Sequence, residues 1–251
     1  MKTTIPKKIH YCWFGKQPKP DDIERYIARW QSIMPDYQLI EWNEDNFSIE
    51  AAIPFVKEAY DCGKWAFVSD YVRLHALYIH GGIYFDTDVE VFRRFDDLLN
   101  QTAFFGFESK DYLTAAVIGV AAHCPLIQQL MDEYAQRRFI SSDGSLDMET
   151  MNVGMTRLLT NHGLVLNGKE QRIEDMAIYP QSYFSANDII NIFGKHRSAA
   201  YGYHHCKASW YDPPRRTGIW VRLRRYFLGI ARNMFGTETI YHLRHRNSSA
   251  K

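Results

Sequence analysis

The chain has 251 residues, a net charge of +1, 46% hydrophobic residues and 24% charged residues. That balance belongs to a globular protein with enough apolar material for a sizeable core, either one large α/β domain or a domain with an appendage; it excludes a disordered chain and carries no nucleic-acid signature. The four cysteines, Cys12, Cys62, Cys124 and Cys206, have no zinc spacing, and the longest apolar run, residues 113–122, is too short to span a bilayer.

In chain order, residues 5–15, IPKKIHYCWFG, read as a first strand started by Pro6 and ended by Gly15. In an open α/β sheet the C-terminal end of such a strand faces the ligand crevice, which puts Trp13, Phe14 and Gly15 there. Residues 21–34 have a helical apolar face (Ile23, Tyr26, Ile27, Trp30), with Asp21 or Asp22 as cap. A second strand over 37–42 and a helix over 53–61, broken at Gly63, follow.

The segment 65–90, WAFVSDYVRLHALYIHGGIYFDTDVE, organises the rest. Phe67, Val68, Tyr71, Leu74, Leu77 and Tyr78 recur at helical steps, and Gly81-Gly82 stops the helix. Period two then predicts a strand over 83–90, with Tyr84, Asp86, Asp88 and Glu90 on one face. Two like charges on one face repel, and a divalent cation between them removes that penalty; carboxylate oxygens suit Mg2+ or Mn2+. Asp70 and Arg73, three apart, share a helix face and can pair.

Downstream, the pattern predicts a connection and short helix over 89–99, strands over 102–108 and 113–121, and a helix over 126–138. A further helix over 148–160 takes Asp147 as its cap, and short apolar pieces lie at 165–166 and 178–180. Repeated strand–helix alternation argues for a sheet with helices on its faces.

Ser69-Asp70-x-x-Arg73 followed by Gly81-Gly82-x-Tyr84-x-Asp86-x-Asp88 resembles the DXD-containing sugar transferases of glycosyltransferase family 32, a group with many capsule and exopolysaccharide enzymes. The pattern is distantly similar to the catalytic domain of the large clostridial glucosylating toxins. The resemblance implies an α/β, GT-A-like (Rossmann-like) nucleotide-sugar transferase fold, with a catalytic domain over 1–212. It implies a metal-dependent, retaining transfer of a hexose from a sugar nucleotide, UDP-sugar favoured, to a glycan acceptor in polysaccharide biosynthesis; a lipid-linked glycan would make docking of the chain's basic tail on a membrane useful.

It also implies site roles. Trp13, Phe14 and Gly15 lie near the base; Asp70, Arg73, Tyr84 and Asp86 serve the donor; Lys207, Ser209 and Trp210 close over the diphosphate. Mn2+ or Mg2+ is held by Asp86, Asp88 and His205, the last chosen over His204 for its distance from Trp210. Asn152 is a weak candidate for the group facing the anomeric carbon. The competing readings are a catalytically degenerate binding protein and a metal-dependent phosphohydrolase.

From Arg215 to Lys251 nine Lys or Arg stand against one Glu, a local charge of +8. Residues 218–235, GIWVRLRRYFLGIARNMF, have an aromatic-aliphatic stripe at helical spacing flanked by arginines, the marks of an interfacial helix on anionic lipid. The expectation is a C-terminal amphipathic helical tail over 213–251, set off by Pro213-Pro214. The N-terminal MKTTIPKKIHYCWFG lacks an apolar signal core. The sequence therefore predicts a cytoplasmic protein with reduced thiols, peripheral on the inner face of the cytoplasmic membrane.

Overall fold

The structure is a computed structural model, and it describes residues 4–184 and 200–206. The chain alternates strands and helices: β1 (Lys8–Cys12), α1 (Asp21–Ile33), β2 (Gln38–Trp42), α2 (Pro54–Asp61), α3 (Trp65–His80), β3 (Gly82–Phe85) and β4 (Val89–Val91). A short 3-10 turn at Asp96–Leu98 leads to β5 (Ala103–Ser109), β6 (Tyr112–Val120), α4 (Pro125–Ala135), α5 (Met151–Asn161), β7 (Gln171–Ile173), β8 (Met176–Tyr179), α6 (Gln181–Phe184) and β9 (Gly202–His204).

Seven strands form one mixed sheet in the order β2-β1-β3-β6-β5-β8-β7, and β4 and β9 form a second, two-stranded sheet. β1 runs parallel to both β2 and β3, and β3 pairs antiparallel with β6. Alternation along β1 and β3 assigns the two faces. His10, Cys12 and Tyr84 point to the side covered by α2 to α5, whereas Ile9, Tyr11, Ile83 and Phe85 join Trp30 and Met34 of the α1 side. Trp30 is fully buried, and its indole N–H donates to the Val89 carbonyl at 2.8 Å, which ties α1 to the small sheet. Truncating a buried tryptophan of this kind costs about 3–5 kcal/mol.

Two expected caps are not used. α1 begins after Pro20 with no side-chain cap; Asp21, Asp22 and Glu24 instead place negative charge in its first turn, where the helix dipole favours it. α5 starts at Met151, later than expected, because Asp147 pairs with Arg137 at 2.8 Å and accepts the Glu149 N–H at 3.0 Å. The cap comes from another helix: the Met151 N–H donates to the Asp70 carboxylate at 3.1 Å. α4 ends at Ala135 rather than Arg138, and Arg137 and Arg138 turn to Asp147 and Glu58. Val165 and Leu166 are exposed and lie outside any strand.

The largest difference concerns residues 83–90. They do not form one strand. Asp86 N–H still donates to the Ala116 carbonyl of β6 at 2.9 Å, but the Val89 N–H then closes onto the Asp86 carbonyl at 3.0 Å. The chain therefore leaves the large sheet at Asp86, turns through Thr87 and Asp88, and enters the small sheet at Val89. A turn, rather than a strand face, aims the two carboxylates at one place.

The boundary at 212, the proposed tail and the residues Lys207, Ser209 and Trp210 lie outside the described residues. Among the described residues no helix is long and apolar enough to cross a membrane, and Cys12, Cys62, Cys124 and Cys206 are free thiols.

Candidate active site

The Asp86–Asp88 turn sits at the C-terminal end of β3, beside β1, where an α/β sheet presents its ligand crevice. β9 returns the chain to this point. It pairs antiparallel with β4, with His204 opposite Val89, so the imidazole stands next to Asp88. His204 Nε2 is 3.2 Å from Asp88 Oδ1 and 3.9 Å from Asp86 Oδ2. One ligand atom from each of Asp86, Asp88 and His204 lies within 4.8 Å of the others. Burial works to lower the His204 pKa, but Asp88 and Cys206 together outweigh it and hold the pKa well above the ordinary imidazole value. Two carboxylates and one imidazole are a donor set that suits Mn2+ and other divalent cations.

His205 is not brought to the pair. Its Nε2 lies 3.2 Å from Glu90 Oε2, and its ring stacks on Tyr26 at 4.9 Å. Strand alternation explains the correction: His205 shares a face with Tyr203, against which it packs edge-on at 4.6 Å, and His204 takes the opposite face. Alternation in Gly202-Tyr203-His204-His205 puts the two histidines on opposite faces, and the pairing of β9 with β4 decides which of them meets Asp88.

Arg73 is the hub of the inner half of the site. It is 4% exposed. Its Nη2 meets Asp70 Oδ1 at 2.9 Å and its Nη1 meets Asp86 Oδ1 at 3.2 Å. Nη1 also donates to the Ala115 carbonyl at 2.8 Å, Nε donates to the Ser69 carbonyl at 3.3 Å, and the guanidinium lies over the Tyr84 ring at 4.5 Å. Burial works against its charge, yet the groups around it, Asp86 first and then Tyr84 and Asp70, together prevail and Arg73 stays protonated. Burial pushes the Asp70 carboxyl upward, while Arg73 and the Met151 N–H pull it back. The N-terminus of α5 adds its positive end to that pull. Tyr84 is 1% exposed under Arg73, which makes it floor and not a group standing in the crevice.

At the end of β1, Trp13 is half-buried; its indole N–H donates to the Gln17 carbonyl at 2.6 Å, and Lys19 lies over the ring at 5.8 Å. Phe14 is 5% exposed and packs edge-on to Phe47 at 6.3 Å, so it belongs to the core. Gly15 has φ +93°, and a Cβ there would stand 2.7 Å from the Trp65 ring. Its N–H donates to Glu44 Oε1 at 2.8 Å, and Tyr60 donates to the same oxygen at 2.9 Å. Glu44, which fixes this loop, was missed because a lone Glu after a strand carries no sequence signal. Asn152, one residue past the Asp70-bound Met151, donates to Glu108 Oε2 at 2.7 Å. Its amide is engaged with a side chain on β5 rather than with the Asp86–Asp88 turn.

Residues 20–105 match the family described as the glycosyltransferase sugar-binding region containing DXD motif. The match takes in Asp70, Arg73, Asp86 and Asp88. The chain is 31% identical over 134 residues to inositol phosphoceramide mannosyltransferase 3 of Schizosaccharomyces pombe, covering 51% of this chain and 36% of that protein. It is 31% identical over 127 residues to an uncharacterised glycosyltransferase of Acanthamoeba polyphaga mimivirus, covering 48% of this chain and 51% of that protein. The chain thus spans about half or less of the curated relatives it matches. Among solved structures, the PaToxG glycosyltransferase superposes with a TM-score of 0.51 at 17% identity, over 63% of this chain and 70% of that one, a likeness of fold. Over residues 20–105 the chain is thus similar to the sugar-binding region of the DXD-containing glycosyltransferases, and its α/β fold is GT-A-like.

Proposed function

We propose that the protein is a metal-dependent retaining glycosyltransferase that moves a hexose from a sugar nucleotide, with UDP-sugars favoured, to a glycan acceptor. The observation that carries this reading is the meeting of Asp86, Asp88 and His204 within 4.8 Å at the crevice end of the sheet. Those three residues would hold Mn2+ or Mg2+. When bound, the cation supplies Lewis-acid stabilisation of the charge that develops on the diphosphate leaving group. Arg73 holds Asp86 by one oxygen, which leaves the other facing His204. Asp70, held by Arg73 and the Met151 N–H, would accept hydrogen bonds from sugar hydroxyls. Trp13 offers a partly open indole for the base.

The name of the fission-yeast relative supports a lipid-borne acceptor and makes a mannosyl donor a rival to UDP-sugars. Peripheral attachment through residues 213–251 fits such an acceptor, and flotation with anionic vesicles tests it: loss of flotation on removal of 213–251 is expected, and failure of the full chain to float contradicts it.

The test of the donor is a thermal-shift screen of UDP- and GDP-sugars with Mn2+, on the wild type and on Trp13→Ala. One class should raise the melting temperature with concentration. Loss of the Trp13 indole should weaken that class by about 1–3 kcal/mol, the scale of base–aromatic stacking. No shift with any sugar nucleotide would remove the reading. The anomeric configuration of the product, read by NMR coupling, tests retention.

A further inference from the structure

We propose that Tyr201 and His205 are positioning residues that fasten β9 at its two ends and so hold His204 in register over the Asp86–Asp88 turn. The inference rests on the reading of Asp86, Asp88 and His204 as a cation site, and it deepens that reading.

The physical problem is register. His204 comes from a strand far along the chain from its carboxylate partners Asp86 and Asp88, and β9 belongs to a sheet of two strands with three pairs: Val89 with His204, Glu90 with Tyr203, Val91 with Gly202. So short a two-stranded ribbon is marginal on its own. A slip of one residue would move the imidazole by about 3.4 Å and turn it to the other face.

Each end of β9 carries a fastening. On the N-terminal side, Tyr201 is 4% exposed. Its hydroxyl bonds Asp97 and accepts from Arg93 at 2.9 Å, and the Arg93 guanidinium lies over its ring at 4.1 Å. Its backbone donates to the Tyr183 carbonyl at 2.8 Å and accepts from the Phe92 N–H at 2.9 Å. On the C-terminal side, the His205 N–H donates to the Asp88 carbonyl at 3.1 Å, and its ring sits between Glu90 and Tyr26 of α1. The Asp88 backbone is thereby bonded by the residue after His204 while its carboxylate meets His204 itself. Gly202 lets the strands approach: a Cβ there would stand 3.0 Å from the Glu90 carbonyl oxygen. The residue that spacing had offered as a cation ligand is, in this arrangement, the strap that places the ligand.

The test is Mn2+ affinity of the full chain, measured from free Mn2+ by EPR with no sugar nucleotide present, alongside thermal melting. Tyr201→Phe removes one hydroxyl and keeps the ring; Tyr26→Leu removes the stack on His205 from a separate helix. Each should weaken Mn2+ binding by about tenfold, the lower end of what loss of an outer partner does to a metal site. Arg94→Ala breaks a surface cluster of Lys7, Asp36 and Asp96 that takes no part in the bonds of Tyr201 and His205 given above, and should leave Mn2+ affinity unchanged. Unchanged affinity in both Tyr201→Phe and Tyr26→Leu overturns the proposal, as does an equal loss in Arg94→Ala. Wild-type protein that binds no Mn2+, or binds it equally well after Asp86→Asn with Asp88→Asn, removes the cation site and the positioning role together.

Discussion

The cluster of Asp70, Arg73 and Asp86 and the two-stranded sheet that carries His204 hold their side chains by different physical means. The cluster is built from one stretch of chain, a helix followed by a strand, and its Asp70 and Arg73 are buried. Arg73 makes contacts in three directions at once, to its own helix, to β6 and to the turn. The small sheet has three residue pairs and depends on side chains beyond its ends. Burial makes the first region rigid and costly to alter. The second keeps its place through a few polar and aromatic contacts, which makes it the adjustable half of the site. A cation bridging both halves would fix their relation.

The largest effect is expected in the buried half. Arg73→Ala leaves Asp70 buried without its counterion, and breaking a buried pair in this way costs about 3–5 kcal/mol. Urea unfolding reads it; a loss below 1 kcal/mol would mean that the cluster is no more firmly held than the small sheet.

Next comes the floor beside that cluster. His10 is fully buried, its Nε2 2.9 Å from the Gly81 carbonyl and its Nδ1 accepting from the Trp42 indole N–H at 3.1 Å. Burial, which outweighs the Gly81 bond, lowers its pKa to about 4. The unfolded chain then binds a proton more readily than the folded one below about pH 6.5. The stability tied to neutral His10 is complete above that pH and is lost as the pH falls toward 4, to a limit of roughly 3 kcal/mol. NMR of the imidazole should show it neutral down to about pH 4 in the folded protein. Titration near 6.5 would show that this part of the scaffold is open.

The smallest effect on stability belongs to the small sheet. Gly202→Ala should cost about 1 kcal/mol or less, since the Glu90 carbonyl must give by only a few tenths of an ångström, in a ribbon at the margin of the fold. A loss as large as that of Arg73→Ala, by urea unfolding, would erase the distinction between the two regions.

The same contrast explains what could be read from sequence. The helix from Trp65, the glycine stop, the first strand and the pairing of Asp70 with Arg73 are local, so periodicity and spacing were enough to find them. The match to the sugar-binding region over 20–105 and the GT-A-like fold agree with that local pattern. What failed was non-local. Period two ran past Asp86 because nothing in the residues 83–90 announces that Val89 will pair with a strand from 202–204. His205 was preferred to His204 because distance to Trp210 ignores which face of a strand a residue takes. Tyr84 was read as a group facing ligand, but Arg73 lies over it, and that packing needs the third dimension. The cap on α5 comes from Asp70, eighty-one residues earlier, where a local rule would look to Asp147.

In the proposed function Asp86 and Asp88 would hold a cation that activates a sugar nucleotide. The most direct measurement is the release of nucleoside diphosphate from the donor identified by thermal shift, followed with and without Mn2+, for the wild type and for Asp86→Asn with Asp88→Asn. Release should require Mn2+ in the wild type and fall by at least about a hundredfold in the folded double variant, the loss expected when metal stabilisation of several kcal/mol is withdrawn. Release at near wild-type rates from the folded double variant, or release indifferent to Mn2+, would contradict it.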